Sequence, residues 1–179
     1  VRTNQWMRKL LADAGPAGPA GLSGLSSSDV PPMFQEVVER GWSVTESGAR
    51  VLTDLRPDPA GSYFDRLAEE TTVNGRGMTD YDLSTEPADA ADRANVLLRR
   101  CLAYAAGCLR AARDHFGDDA VRAYVSLSLG GLDDDLLTAQ VTFCTPLPDT
   151  APYIADLERV EDAAVAELSV GDCPDGGTA

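Results

Sequence analysis

Histidine, lysine and long apolar runs are nearly missing from this chain. His115 is the only imidazole, so the clustered histidines of many transition-metal sites have nothing to be built from. Asp114 precedes it, but neighbouring helical residues point about 100° apart, so the two do not form an acid-base pair. No glycine-rich phosphate loop and no nucleophile motif is present. From residue types alone we assign no catalytic residue, no metal ligand set and no cofactor.

Basic residues are also scarce. Lys and Arg number 15 against 29 Asp and Glu, for a net charge of -14 and a pI of about 4.3. Such a field repels a phosphate backbone, which argues against nucleic acid, and it suits either plain solubility or a partner with a basic surface. Lys9 is the only lysine beside fourteen arginines. With the abundance of Ala, Gly and Asp, that bias is what a GC-rich bacterial genome encodes. No segment approaches the ~20 apolar residues of a membrane span, and the apolar run in residues 1–15 is too short for a signal peptide. A cytoplasmic location without membrane contact is the expectation. The four cysteines lack close metal-ligand spacing, and Cys101 and Cys108 would stand about 10 Å apart on one helix face, too far for a disulfide. All four, with Cys144 and Cys173, are expected to be reduced core thiols.

What is present is periodicity. Over 89–116, Leu97, Cys101, Tyr104 and Cys108 form one apolar stripe and Leu98, Leu102, Ala105 and Leu109 an adjoining one, which predicts a long amphipathic helix ending at Gly117. Arg99, Ala103, Ala106, Arg110 and Arg113 share the opposite face. Next, Val121, Ala123, Val125, Leu127 and Leu129 alternate with polar residues, as do Leu137, Ala139, Val141 and Phe143, which predicts an antiparallel hairpin with one buried face. Upstream, Pro31 and Pro32 open a helix that ends at Gly41, and residues 42–55 read as a hairpin turning at Ser47-Gly48, with a helix over 45–55, as in a winged-helix regulator, the competing reading. The stretch SYFDRLAEE predicts a short helix on Tyr63, Phe64 and Leu67. Residues 72–84 read as strand or loop, with strand favoured at the later end, and 149–168 as a helix burying Tyr153, Leu157, Val160, Ala164 and Leu168.

The whole is therefore expected to be α+β: an antiparallel sheet of about four to five strands, two hairpins among them, packed by the long helix and flanking helices. Residues 1–30 read as a helix over 4–14 and a flexible Gly/Pro/Ser linker, 31–170 as one domain and 171–179 as a frayed tail. The leading helix has three options: loose docking, exchange with a neighbour, or engagement of a partner.

The order helix, hairpin, strand, long helix, hairpin, helix over 31–168 resembles the type III secretion chaperone-like fold. That resemblance implies a small acidic cytosolic protein, often dimeric, that binds another polypeptide and catalyses nothing; it carries no residue roles, and residues 1–30 have no counterpart in it. Bacterial immunity proteins share the profile. Two contact surfaces follow from the pattern: the stripe of Arg99, Arg110 and Arg113, and the uncharged polar face of the later hairpin, with Tyr124, Ser126 and Gln140. In the rival reading the chain is a small-molecule-binding or enzymatic domain, in which the 74–82 loop with Arg76, Asp80, Tyr81 and Asp82 is a lid over a pocket beside Trp42 and Tyr104. Asp133, Asp134 and Asp135 lack the ligand spacing of a calcium loop and read as a solvated turn.

Overall fold

A computed structural model of the chain describes residues 1–13, 24–129 and 136–173. Its architecture is α+β. A five-stranded antiparallel sheet has the order β1-β7-β5-β6-β4, formed by β1 (Arg2–Thr3), β4 (Arg76–Gly77), β5 (Arg122–Leu129), β6 (Leu137–Cys144) and β7 (Ala163–Leu168). A separate two-stranded ribbon pairs β2 (Trp42–Val44) with β3 (Arg50–Leu52). The helices are α1 (Gln5–Asp13), α2 (Pro32–Arg40), α3 (Arg66–Val73) and α4 (Ala90–Phe116).

The alternation of β5 and β6 buries one face except at the hairpin end, where Leu129 is 63% exposed and Leu137 half-buried. Ala123, Val125 and Leu127 stand opposite Phe143, Val141 and Ala139, and all six are buried with α4 in the main core. On α4, Tyr104 meets Phe143 of β6 edge-on at 5.7 Å and Phe34 of α2 at 4.9 Å. So α4 is sandwiched: the sheet lies on one side and α2 on the other. Gly107 marks the second contact, since a Cβ there would lie 3.3 Å from Val38. Ala103 and Ala106, expected on a solvent face, are buried. Small residues do permit close approach, but the neighbour is this chain's own α2.

Several expectations change. Residues 149–168 form no α-helix; a 3-10 turn at Leu157–Arg159 leads into β7, which pairs with β5 through Ala123↔Leu168, Val125↔Ala166 and Leu127↔Ala164. The spacing of Leu157, Val160, Ala164 and Leu168 fits a helix, yet Ala164, Ala166 and Leu168 also alternate. The open backbone edge of β5 selects the strand, because unpaired N–H and C=O groups there would lack partners. In the 45–55 stretch the hairpin forms and a 3-10 turn, Thr53–Leu55, follows it, so the competing helix is absent. Helix α3 starts later than expected, capped by Asp65, and buries Glu70 and Val73 while Phe64 stays 96% exposed. The strand in the 72–84 stretch is β4, in its middle and not at its later end.

The leading segment is built into the core. Met7 and Leu11 of α1 are buried in the main cluster and β1 pairs with β7. Part of the expected linker is ordered: Ser26 and Asp29 make a reciprocal capping box on a 3-10 turn, Ser27–Asp29. Leading into the expected tail, Val170–Asp172 form another such turn with Val170 buried. The rest of the linker and tail, and Asp133, Asp134 and Asp135, lie outside the described residues.

Candidate functional site

Opposite the α4 side, the sheet presents a second face made by the even-numbered residues of β5 and β6. Across it run the rows Glu167–Tyr124–Thr142, Val165–Ser126–Gln140–Gly77 and Ala163–Ser128–Thr138. The connection 145–162 must cross β5 to carry the chain from β6 to β7. Tyr153 in this crossing stacks edge-on against Tyr124 at 5.0 Å, and Tyr124, Thr142 and Cys144 are buried. Burial pushes the Tyr124 phenol above its ordinary range, reinforced by the neighbouring Glu167 carboxylate. Half the face is thus closed.

The other half is open. Ser126, Ser128 and Thr138 are half-buried and Gln140 is exposed, beside exposed Gly77. Thr138 donates its hydroxyl to the Ser128 carbonyl at 3.2 Å, while Gln140 donates to Thr142 Oγ1 at 3.5 Å. The patch therefore keeps spare acceptors and donors and carries no charge, in a chain where charged residues make up 25%. Gly75 fits the chain tightly against it: a Cβ there would sit 2.9 Å from the Thr71 carbonyl oxygen and 3.3 Å from the Gln140 amide nitrogen.

Of the six expected contact residues, Ser126 and Gln140 lie together on this patch and Tyr124 is under its covered end. The arginines lie elsewhere. Arg99 grips Asp29 with both carboxylate oxygens, at 3.0 and 3.1 Å, and the Gly24 carbonyl at 3.2 Å. Arg113 lies 3.9 Å from Asp114, and Arg110 is half-buried, close enough to Cys173 to influence its thiol.

The six residues of the rival site are not brought together. Trp42 is buried and donates its indole N–H to the Cys108 carbonyl at 2.9 Å. Tyr104 is buried between Phe34 and Phe143, where burial drives its phenol upward. Arg76 is exposed on β4. Asp80 and Asp82 are clasped to α4: buried Arg93 binds Asp80 and the Leu137 carbonyl (3.0 Å), and Arg100 binds Asp82 and the Thr79 carbonyl (2.9 Å). Tyr81, between the two clasped aspartates, is 95% exposed. The loop is thus fastened at both flanks of an outward-facing tyrosine.

Sequence reasoning missed the buried polar residues. Glu70 accepts from the Arg50 backbone N–H at 2.8 Å, from Arg66 Nε at 2.9 Å and from the Thr145 N–H. Asn74, one turn on, accepts from Leu52 N–H at 2.8 Å and donates to the Arg50 and Phe143 carbonyls. Together they close the facing edges of β3 and β6. The i, i+4 spacing of Glu70 and Asn74 was the available signal. His115 is exposed at the end of α4, against Phe116. All four cysteines are free, and burial raises every thiol, Cys144 to about 12 and Cys173 to about 11.

Among the described residues no group of three or more His, Cys, Asp or Glu is placed to hold a metal, and no helix is long and apolar enough to cross a membrane. No family model, curated protein or solved structure matches this chain.

Proposed function

We propose that this chain is an acidic cytoplasmic module that binds another polypeptide without catalysing a reaction, in the manner of a chaperone, adaptor or immunity protein. The open half of the sheet's polar face is its contact surface. One observation carries the reading: Ser126, Ser128, Thr138 and Gln140 make an uncharged, hydrogen-bonding patch on a highly charged protein. Interfaces are depleted of charge at their centres and retain polar groups that pair on docking, which is the character of this patch. The chain's other conspicuous polar groups, Glu70, Asn74, Arg93 and Arg100, already have partners within the fold.

The test is site-specific photocrosslinking in cells of the source type. A photoreactive side chain at Gln140 should give discrete polypeptide adducts, and one at Glu39, exposed on α2 across α4 from the sheet, should not. Adducts that Gln140→Arg in a photoreactive Ser126 variant leaves undiminished, or equal labelling at both sites, would overturn the assignment.

A further inference from the structure

The seating of residues 1–13 has the form of a bound ligand. The segment carries its own strand, its own cap and its own helix, while its site is made at the far end of the sequence. Arg2 and Thr3 pair with Glu167 and Ala166, and Asn4 donates its backbone N–H to the Val165 carbonyl at 3.1 Å. The Asn4 side chain accepts from Val165 N–H at 3.0 Å and Met7 N–H at 3.0 Å, and donates to the carbonyls of Val160 (3.1 Å) and Ala163 (2.7 Å). Arg8 and the Gln5 N–H both reach Glu158. Apart from the helix's own cap, each of these bonds ends between residues 158 and 167. Met7 and Leu11 add the apolar anchors. The joint to the rest of the chain, residues 14–23, consists only of Ala, Gly, Pro, Leu and Ser.

We propose that the outer edge of β7, with the core notch for Met7 and Leu11, is a strand-and-helix acceptor site, and that a second copy of this chain fills it with its own residues 1–13. The contacts are the same whether the segment comes from its own chain or from the copy. Only the effective concentration set by the tether, on the order of millimolar, separates the two states. Reciprocal exchange is self-complementary and leaves neither β7 edge open.

Two versions of the chain, residues 1–179 in a Cys173→Ser background, test this, one carrying Thr3→Cys and the other Ala166→Cys. These positions face each other across β1 and β7, within disulfide reach for paired strands, and Arg2→Cys with Glu167→Cys is a second, more exposed pair. Both substitutions in one chain should oxidise within the monomer. Mixed single variants should give a disulfide-linked dimer whose initial yield rises roughly fifty-fold from about 10 µM to about 1 mM, as a millimolar tether requires. Deleting residues 14–23 leaves a single ~3.8 Å Cα step of reach and should make the dimer dominant at 10 µM. A mixed yield no higher than that of Thr3→Cys with Glu46→Cys across the series would overturn exchange, whether or not the deletion folds. Failure of both pairs to close within one chain would overturn the seating itself.

Discussion

The two outer margins of the five-stranded sheet are closed by the same device and by different materials. At β7, Asn4 holds two backbone N–H groups and two carbonyls; at β6, Asn74 holds one N–H and two carbonyls. Each asparagine stands where a short strand, β1 or β4, stops covering its neighbour. Beyond that the margins differ. The β6 margin adds buried side chains from α3 and α4, Glu70 on the Thr145 N–H and Arg93 on the Leu137 carbonyl, 75 and 44 residues away. The β7 margin relies on the backbone, the apolar anchors and the exposed ion pairs, Arg2 with Glu167 and Arg8 with Glu158, of a segment about 160 residues away. The charged groups are buried at one margin and exposed at the other, where a docked strand and helix carry the closure, and so the two should fail under different stresses.

Removing Glu70 should have the largest effect. Glu70→Leu leaves the Arg50 and Thr145 N–H groups and Arg66 without their shared acceptor, and breaking a buried charged network costs about 3–5 kcal/mol. Urea denaturation reads it directly, and a loss under about 1 kcal/mol would mean that the β6 margin does not depend on charge. Asn4→Ala and Asn74→Ala should each cost about 3 kcal/mol, from several buried hydrogen bonds lost at once. Amide exchange separates them: the first should expose Val165 and Met7 while Leu52 stays protected, and the second the reverse. If both variants loosened the same amides, the margins would not be independent.

A smaller loss is expected at Gly75. Gly75→Ala drives a methyl against the Thr71 carbonyl oxygen at 2.9 Å, so β4 should shift at a cost of about 1–3 kcal/mol, read as a lowered urea midpoint with Val165 unaffected. The smallest effect concerns acid. Arg50, beside the Glu70 network, makes a bidentate pair with Asp118 and holds its carboxyl down at about 2, with the Ala120 N–H helping. The folded value lies below the ordinary carboxylate range near 4, so this stabilisation is present above about pH 4 and is lost as pH falls through about 2. Asp118→Asn should flatten that part of the acid unfolding curve, and an unchanged curve would remove the pair from the account.

Much of this margin-to-margin contrast is invisible in the residue pattern. The long helix and the β5–β6 hairpin were legible because their apolar residues recur every 3.6 or every two positions over many residues, and Ser126 and Gln140 followed as the polar side of that alternation. Residues 149–168 satisfy both periods at once, with Leu157, Val160, Ala164 and Leu168 on a helical stripe and Ala164, Ala166 and Leu168 on a strand. Nothing local separates the two. Tyr124 shows the same limit within the candidate surface: its alternation places it beside Ser126 and Gln140, but only the crossing chain with Tyr153 determines that it is covered. The clasp on the 74–82 loop is a third case, since Arg93 and Arg100 lie beyond the loop they fasten.

From the order of residues alone come the α+β class, the rod of α4, the hairpins and the apolar side of β5 and β6, because side-chain period and backbone geometry are local properties. Tertiary structure decided that the last apolar stretch is a strand, that the chain's first residues complete the sheet, and that Asn4, Glu70 and Asn74 close its margins. Those outcomes depend on unpaired backbone groups finding partners, some of them about 160 residues apart, and a hydrogen bond between distant strands leaves no trace in the neighbourhood of either.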